Sequence, residues 1–251
     1  MLTRVDTRPS VIRCVAFDAV GTLIEAKPSV ADAYTDVGRR HGSRLNVEQV
    51  QKRIEAAFKT CAESDRKKGM DGLLTSEEAE RARWRWIVGE VFADIEDVHV
   101  VDRVFAELFT HFGRPESWRC FRDVAAAVAR IDEIGLPMVI ASNFDQRLHS
   151  VCEGCPPIQR ARAVMVSSEV GWRKPGRGFY AALVAECGCR ADQVLMVGDD
   201  HVNDYEGARH SGLQAVLLDR SARTVEGKDT SSQISRPMVI GSLSDLDVWY
   251  S

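Results

Sequence analysis

Short apolar runs recur along the chain, and each of them ends in polar or turn-forming residues. Runs of this length that alternate with amphipathic stretches are typical of parallel strands buried between helices. The pattern predicts an α/β fold, with a doubly wound, Rossmann-like parallel sheet between two layers of helices. The polar stretch 221–236 predicts a loop before the last strand. The predicted strands cover residues 11–17, 136–141, 163–167, 194–197, 214–218 and 238–240.

Residues 28–114 follow a different pattern, with no strand signal and with apolar positions at helical spacing. Because this block follows the first predicted strand, we expect it to form an inserted helical cap. The core is then expected to comprise residues 1–27 and 115–251. Thr75 and Glu78 have the spacing of a capping box at the start of the third cap helix. The four predicted cap helices cover residues 30–40, 47–63, 76–95 and 98–112.

Polar side chains stand at the ends of the predicted strands. Asp18 ends the first strand, Ser142 and Asn143 follow the second, and Asp199 follows the fourth. In open α/β sheets, ligands bind beyond the carboxyl ends of the strands. Asp18, Ser142 and Asp199 are therefore expected to converge on one site although they lie far apart in sequence.

The composition narrows the class of protein. Of the 251 residues, 45% are hydrophobic and 28% are charged, which suits one core with an inserted cap. The net charge of -4 gives no reason to expect nucleic acid or an anionic membrane as a partner. No apolar run approaches the roughly 18 residues of a membrane span. Seven scattered cysteines favour a reducing, cytoplasmic location over a disulfide framework. The sequence does not indicate an oligomeric state.

Four motifs at these strand ends resemble those of the haloacid dehalogenase superfamily of hydrolases. Residues 17–23 (FDAVGTL) are similar to its first motif, residues 142–145 (SNFD) to its second, and Lys174 in GWRKP to its third. The acidic stretch 198–204 (GDDHVND) is similar to the fourth motif. The four occur in the family's order over nearly the whole chain, so the combination is specific. The stretches SNFDQR and SEVGWRKP also resemble one subgroup of the superfamily.

The resemblance implies that the carboxylate of Asp18 is a nucleophile that forms a covalent aspartyl intermediate. A carboxylate and a phosphate repel each other, so their approach requires cationic groups, hydrogen-bond donors and usually Mg²⁺. The implied cofactor is therefore Mg²⁺, and the implied partner is a small, phosphorylated substrate. The implied catalytic residues are Asp18, Ser142 and Lys174. The resemblance assigns phosphate or substrate binding to Thr22, Ser142, Asn143 and Lys174, and metal binding to Asp18, the backbone carbonyl of Val20, Asp199 and Asp204.

Val20 departs from the pattern of phosphatases in this family, which carry a second Asp two residues after the nucleophile. That Asp protonates the leaving group and later activates water, and a valine side chain does neither. We expect a phosphatase or a phosphonate-type hydrolase whose leaving group needs no proton. Two alternatives stay open: a catalytically weakened binding or regulatory protein, and a 2-haloacid dehalogenase. The acidic group of Asp199, Asp200 and Asp204 favours metal and phosphate over dehalogenation.

Two cysteine pairs and one cap helix carry further hypotheses. Cys152 and Cys155 form C-x-x-C, and Cys187 and Cys189 form C-x-C. A zinc site would require all four thiolates to converge, whereas buried free cysteines are common. The Arg-rich helix around Trp84 is interpreted as an amphipathic cap helix whose arginines cover apolar surface. The alternative for this helix is a contact with a substrate anion or a dimer surface.

Overall fold

The computed structural model describes residues 11–221 and 238–249. Six parallel strands form one sheet, and two short strands form a separate antiparallel ribbon. In chain order the strands are β1 (Cys14–Phe17), β2 (Ile24–Ala26), β3 (Trp118–Cys120), β4 (Met138–Ser142), β5 (Ala163–Val166), β6 (Val194–Gly198), β7 (Gln214–Leu218) and β8 (Val239–Ile240). The parallel sheet has the order β5-β4-β1-β6-β7-β8, and β2 pairs with β3.

The central strands are buried on both faces, which explains why they are apolar without alternation. All residues of β1, β4 and β6 are buried. Val15 and Phe17 of β1 join the apolar cluster on one face of the sheet, and Cys14 and Ala16 join the cluster on the other. Successive side chains of a strand point to opposite faces, so two helical layers are needed to cover them. This is the predicted doubly wound, Rossmann-like α/β architecture.

The helices cover the sheet and form the block between β2 and β3. The N-cap of the second helix is Asn46, and Gly69 follows its last turn with a φ of 63°. The helices are α1 (Val30–Arg40), α2 (Val47–Lys68), α3 (Glu77–Val91), α4 (Val98–His111), α5 (Val124–Glu133), α6 (Arg147–Glu153), α7 (Ser167–Val170), α8 (Arg177–Cys187) and α9 (Gly207–His210). None of the helices in the described ranges has an apolar stretch long enough to cross a membrane.

The first four helices pack around an apolar cluster of their own. Tyr34 of α1 stacks on Phe92, with ring centroids 6.0 Å apart, and Ile87 and Val91 of α3 are fully buried beside them. Burial of this kind contributes about 1.5–3 kcal/mol for each large apolar side chain. Helices α1–α4, called the cap below, therefore have an apolar core of their own, which Phe112 joins to one cluster of the sheet.

Two features differ from the sequence-based expectation. The ribbon of β2 and β3 was not predicted, because each of its strands has only three residues. The N-cap of α3 is Ser76, whose hydroxyl accepts from the backbone N–H of Ala79, so the predicted capping box at Thr75 is wrong. The hydroxyl of Thr75 donates instead to Glu80 at 2.7 Å. The predicted loop at residues 221–236 lies outside the described residues beyond position 221.

Candidate active site

Asp18 lies directly after β1, in the centre of the sheet. Its backbone N–H donates to the carbonyl of Val197 at 2.9 Å, which continues the pairing of β1 with β6 past the last strand residue. The side chain is buried, and its Oδ1 accepts hydrogen bonds from Lys174 Nζ at 2.7 Å and from Ser142 Oγ at 3.0 Å. The structure thus brings together three predicted site residues from three distant parts of the sequence.

Lys174 is a buried cation held by three oxygen atoms. Its Nζ donates to Asp18 at 2.7 Å, to Asp204 Oδ1 at 2.6 Å and to the carbonyl of Ala141 at 2.7 Å. Burial alone would lower the pKa of Lys174, but the charges of Asp18 and Asp204 raise it above its ordinary value. Lys174 therefore stays protonated and supplies a fixed positive charge beside the Asp18 carboxylate.

The side chain of Asn143 braces this lysine. Its Oδ1 accepts from the backbone N–H of Lys174 at 2.7 Å, and its Nδ2 donates to the Lys174 carbonyl at 2.9 Å. Both ends of the amide are thus engaged with one peptide segment, an arrangement that fixes where the lysine enters the site. A substrate contact by Asn143 would therefore use its backbone N–H group.

Three carboxylates come together at the same edge of the sheet. Oxygen atoms of Asp18, Asp199 and Asp204 all lie within 4.8 Å of one another. Asp199 keeps access to solvent, yet partial burial of its carboxylate and the nearby charge of Asp18 raise its pKa to about 6. Burial and the charge of Asp18 also raise the pKa of Asp204, although Lys174 opposes the shift. One lysine therefore faces three acidic groups, and a divalent cation would relieve the excess negative charge.

The backbone leaves room for these carboxylates at two glycines. Gly21 has a φ of 88°, and a Cβ atom there would lie 2.2 Å from Asp199 Oδ2. A Cβ atom at Gly198 would lie 2.2 Å from Asp204 Oδ2. Thr22 also reaches Asp199, because its Oγ1 donates to Asp199 Oδ1 at 3.3 Å. The close approach of the loop after β1 to Asp199 suits a site for a hard cation with oxygen ligands.

Asp204 and Asp200 have different neighbours from Asp199. Asp204 Oδ1 accepts from Lys174, and its Oδ2 accepts from the backbone N–H of Asp200 at 3.1 Å. Asp200 caps the short π-helix His201–Glu206, accepting from the N–H groups of Val202 at 2.9 Å and Asn203 at 2.8 Å. Asp200 is thus engaged with local backbone, and Asp204 links that helix to the buried lysine.

Val20 offers no acidic or basic group to the site. Its half-buried side chain packs against the apolar cluster on one face of the sheet. The following turn is closed by a hydrogen bond of 2.9 Å from Gly21 N–H to the carbonyl of Ile24. The functional groups that position 20 brings to the loop are therefore those of its backbone.

The cap contacts the loop that carries Lys174. Glu80 of α3 is buried and forms an ion pair with Arg173, the residue before Lys174. Glu77, at the start of α3, accepts from the backbone N–H of Gln146 at 2.8 Å and from the hydroxyl of Ser168. These contacts join the cap to two of the loops that surround the site.

Sequence analysis missed Arg220, which follows β7. Its guanidinium donates to the carbonyls of Gly21 at 3.2 Å and Thr22 at 2.7 Å, in the loop next to Asp18. An Asp-Arg pair after a strand has no distinctive spacing, so no signal in one sequence points to this contact.

The cysteine pairs do not meet. Cys152 and Cys155 belong to the apolar cluster on one face of the sheet, and Cys187 belongs to the cluster on the other face. All seven cysteines are free thiols. Because the sheet separates the C-x-x-C and C-x-C pairs, the zinc hypothesis, which needs their convergence, is wrong.

The Arg-rich helix α3 uses its arginines within the cap. Arg83 pairs with Asp65 at 2.7 Å, and Arg85 pairs with Asp102 at 2.6 Å. The guanidinium carbon of Arg81 lies 4.6 Å from the ring centroid of Phe109. These contacts agree with the interpretation as an amphipathic cap helix.

Comparisons with known proteins agree with this geometry. The family model "haloacid dehalogenase-like hydrolase" matches residues 12–212. The chain is 27% identical to haloacid dehalogenase-like hydrolase domain-containing protein 3 of Danio rerio over 241 aligned residues. The alignment covers 94% of this chain and 95% of that relative. That relative belongs to the subgroup that the stretches SNFDQR and SEVGWRKP resemble.

Two solved structures have a similar fold over 96% of this chain and 99% of their own. The L-2-haloacid dehalogenase RSc1362 has a TM-score of 0.68 at 18% identity. YfnB of Bacillus subtilis, solved bound to magnesium, has a TM-score of 0.70 at 15% identity. At these identities the two structures support the fold alone. The family is shown by the family model, which covers most of the sequence. The chain belongs to the haloacid dehalogenase-like hydrolases.

Proposed function

We propose that this protein is a Mg²⁺-dependent hydrolase that transfers a phosphoryl group from a small phosphate or phosphonate to Asp18 and then to water. The observation that carries the proposal is the Asp18 carboxylate, held by Lys174 and Ser142 beside two further carboxylates. A buried lysine and an acidic cluster at one sheet edge suit a phosphate substrate together with a divalent cation.

The chain's own residues have distinct tasks in this proposal. Lys174 offsets the negative charge of Asp18 and of the incoming phosphate, which would otherwise repel each other. Ser142, whose hydroxyl lies 3.0 Å from Asp18, donates to a phosphoryl oxygen and keeps the carboxylate oriented. The hydroxyl of Thr22 and the backbone N–H of Asn143 complete the substrate contacts.

Asp18, the carbonyl of Val20 and Asp199 would hold the cation, with Asp204 in support. Bound Mg²⁺ supplies positive charge that stabilises the oxygens of the transferring group. The three carboxylates fit this ion because hard cations prefer oxygen ligands. Asp204 already has a hydrogen bond on each oxygen, so its main task is to hold Lys174.

The substrate class follows from Val20. Attack by Asp18 breaks the bond between phosphorus and the leaving group, which then departs with the electron pair. A positioned acid accelerates such a step typically by about 10²–10⁴-fold, and position 20 has none. Acyl phosphates, whose carboxylate leaves without a proton, and activated phosphonates should therefore be better substrates than alkyl phosphates.

The two alternative functions predict different results for substrate turnover. A 2-haloacid dehalogenase would also tolerate valine at position 20, because halide leaves without a proton, but it needs no acidic cluster. A binding protein of the same fold would turn over neither class of substrate. The cluster of Asp18, Asp199 and Asp204 favours the phosphate hydrolase over the dehalogenase, and substrate turnover distinguishes it from the binding protein.

The proposal is tested with acetyl phosphate, p-nitrophenyl phosphate, an alkyl phosphate and 2-chloropropionate, each with Mg²⁺ or with EDTA. We expect hydrolysis of acetyl phosphate that requires Mg²⁺ and is lost in Asp18→Asn. Chloride release in EDTA would support the dehalogenase instead. Inactivity of the folded protein on all four compounds would favour the binding protein.

Val20→Asp provides a second, matched test. The variant should gain about 10²-fold or more on the alkyl phosphate and much less on acetyl phosphate, because only the alkoxide needs a proton. Rates on both substrates would be measured for wild type, Val20→Asp and the isosteric control Val20→Thr. No gain on the alkyl phosphate beside a robust wild-type rate would mean that another group already acts as acid.

A further inference from the structure

Arg220 spans two successive carbonyls of the loop that follows Asp18. Its Nη2 donates to the carbonyl of Thr22 at 2.7 Å, and its Nε donates to the carbonyl of Gly21 at 3.2 Å. Residues 18–22 include Asp18 and the Val20 carbonyl, two of the proposed cation ligands, and the Thr22 hydroxyl contacts a third, Asp199. A charged donor on a carbonyl forms a stronger hydrogen bond than a neutral one.

The guanidinium is itself fixed from two other sides. Its Nη1 donates to Asp123 Oδ2 at 3.0 Å, and its carbon lies 3.9 Å from the ring centroid of Phe121. Asp123 Oδ2 also accepts from Ser242 Oγ and from the backbone N–H of Leu243, both at 2.9 Å. Burial alone would raise the pKa of Asp123, but these donors lower it, so the carboxylate remains charged beside Arg220.

The loop needs such a restraint because of Gly21. This residue has a φ of 88°, and a Cβ atom there would lie 2.2 Å from Asp199 Oδ2. Glycine reaches this conformation without strain but is also the residue with the most backbone freedom. On its other side, the loop is linked to Asp199 by the hydroxyl of Thr22 at 3.3 Å. Hydrogen bonds to the carbonyls of Gly21 and Thr22 fix the peptide planes on either side of residue 22.

We propose that Arg220 is a positioning residue that holds the loop of residues 18–22 in its cation-binding conformation. This inference rests on the proposed function, because it concerns the same site. Arg220 acts through the loop and contacts none of the three carboxylates in the structure. Lysine at this position would keep the charge but could not span both carbonyls and Asp123 with a planar fork.

The test is the dissociation constant of Mg²⁺, measured by titration calorimetry on wild type, Arg220→Lys and Arg220→Gln. Residues that orient metal ligands typically contribute about 10–100-fold to affinity, so both variants should bind Mg²⁺ at least about 10-fold more weakly. Urea unfolding in EDTA measures stability separately. A merely structural role would lower stability and leave the Mg²⁺ affinity of the folded protein unchanged.

Arg162→Gln is the matched control. Arg162 also donates to backbone carbonyls, those of Glu186 at 2.8 Å and Cys187 at 3.5 Å, at the end of α8. Its replacement should leave Mg²⁺ affinity unchanged. Asp123→Asn, which keeps Arg220 but removes its charged anchor, should weaken Mg²⁺ binding in the same direction and serves if the Arg220 variants do not fold.

The outcomes separate this inference from the proposed function. Wild type that binds no Mg²⁺ would overturn the proposed cation site. Wild type that binds Mg²⁺, with Arg220→Lys and Arg220→Gln binding equally well, would overturn the role of Arg220 alone. If those variants do not fold, Asp123→Asn with wild-type affinity would overturn it. Equal losses in Arg162→Gln and the Arg220 variants would show a general effect and would also contradict it.

Discussion

Lys174 illustrates how one residue can be needed for both the fold and the site. Its Nζ is buried between Asp18 and Asp204, at 2.7 and 2.6 Å. Two buried carboxylates that lie this close to each other stay ionised only while a cation compensates their charge. Removing the lysine therefore leaves charge buried without a partner, and the carboxylates must either take up protons or become exposed.

We predict that Lys174→Met lowers the free energy of unfolding by about 3–5 kcal/mol, the usual cost of breaking a buried ion pair from one side. Adding Asp204→Asn should recover part of this loss, because it removes one of the two unpaired charges. Both variants would be measured by urea unfolding in EDTA. The exposed Lys59→Met is the control and should change stability by less than about 0.5 kcal/mol. Unchanged stability of Lys174→Met would contradict the account.

The position of a site residue could be predicted from the sequence where that residue directly follows a parallel strand. Asp18, Ser142 and Asp199 could be expected to converge because each follows a parallel strand, and the structure brings them together. The side-chain amide of Asn143 could not be assigned in this way, because its partners are backbone groups of Lys174. Arg220 was out of reach for the same reason, since both carbonyls that it contacts lie about 200 positions earlier in the chain.

At the scale of elements, the start of α3 is attached to the core. Glu77 contacts the loop after β4 and the helix α7 that follows β5, and Glu80 pairs with Arg173 beside Lys174. The backbone adds two hydrogen bonds. The N–H of Thr75 donates to the carbonyl of Gly171 at 3.1 Å, and the N–H of Arg173 donates to the carbonyl of Leu73 at 2.8 Å. The cap segment before α3 is therefore bonded directly to the loop that positions the lysine.

We predict that Glu80→Ala loosens this attachment. The variant leaves Arg173 and Thr75 without their carboxylate, which should cost about 1–3 kcal/mol of stability. Hydrogen exchange should become faster at the backbone N–H groups of Thr75 and Arg173 and stay unchanged in β1. Glu90→Ala, an exposed change on the same helix, is the control. Unchanged exchange at both N–H groups would show that the two backbone bonds suffice to hold the segment.

The elements of the core were predicted more closely than those at its junctions with the cap. Apolar runs marked all six parallel strands, and β7 has the bounds that were predicted. The ribbon of β2 and β3 escaped because its strands pair across 94 residues and are too short to show a period. The N-cap residue of α3 is Ser76, because its hydroxyl, and not that of Thr75, accepts from a backbone N–H group of the first turn.

At the scale of the whole molecule, we expect the acidic site to make stability depend on cations and pH. The folded pKa of Asp199 is about 6, above the ordinary value of 3.8, so the folded protein holds this proton more tightly than the unfolded chain. Asp199 should therefore contribute a loss of stability in the cation-free protein as pH rises from about 4 to about 6. A cation that binds the charged form offsets the loss.

We predict that Mg²⁺ raises the melting temperature more at about pH 7.5 than at about pH 5, because protonated Asp199 competes with the ion at the lower pH. The measurement is thermal unfolding in Mg²⁺ and in EDTA at both values. Asp199→Asn should lose most of the stabilisation by Mg²⁺. Equal stabilisation at the two pH values, or none at either, would contradict the assignment of the cation site.

Covalent phosphorylation of Asp18 can be tested by locating the phosphoryl group on the protein after rapid acid quench. Val20 provides no base to activate water, so the aspartyl phosphate should persist long enough to be trapped. With acetyl phosphate and Mg²⁺, mass spectrometry should find one phosphoryl group on the peptide that contains Asp18, and none in EDTA or in Asp18→Asn. Turnover that continues in Asp18→Asn, or a label on another residue, would contradict the account.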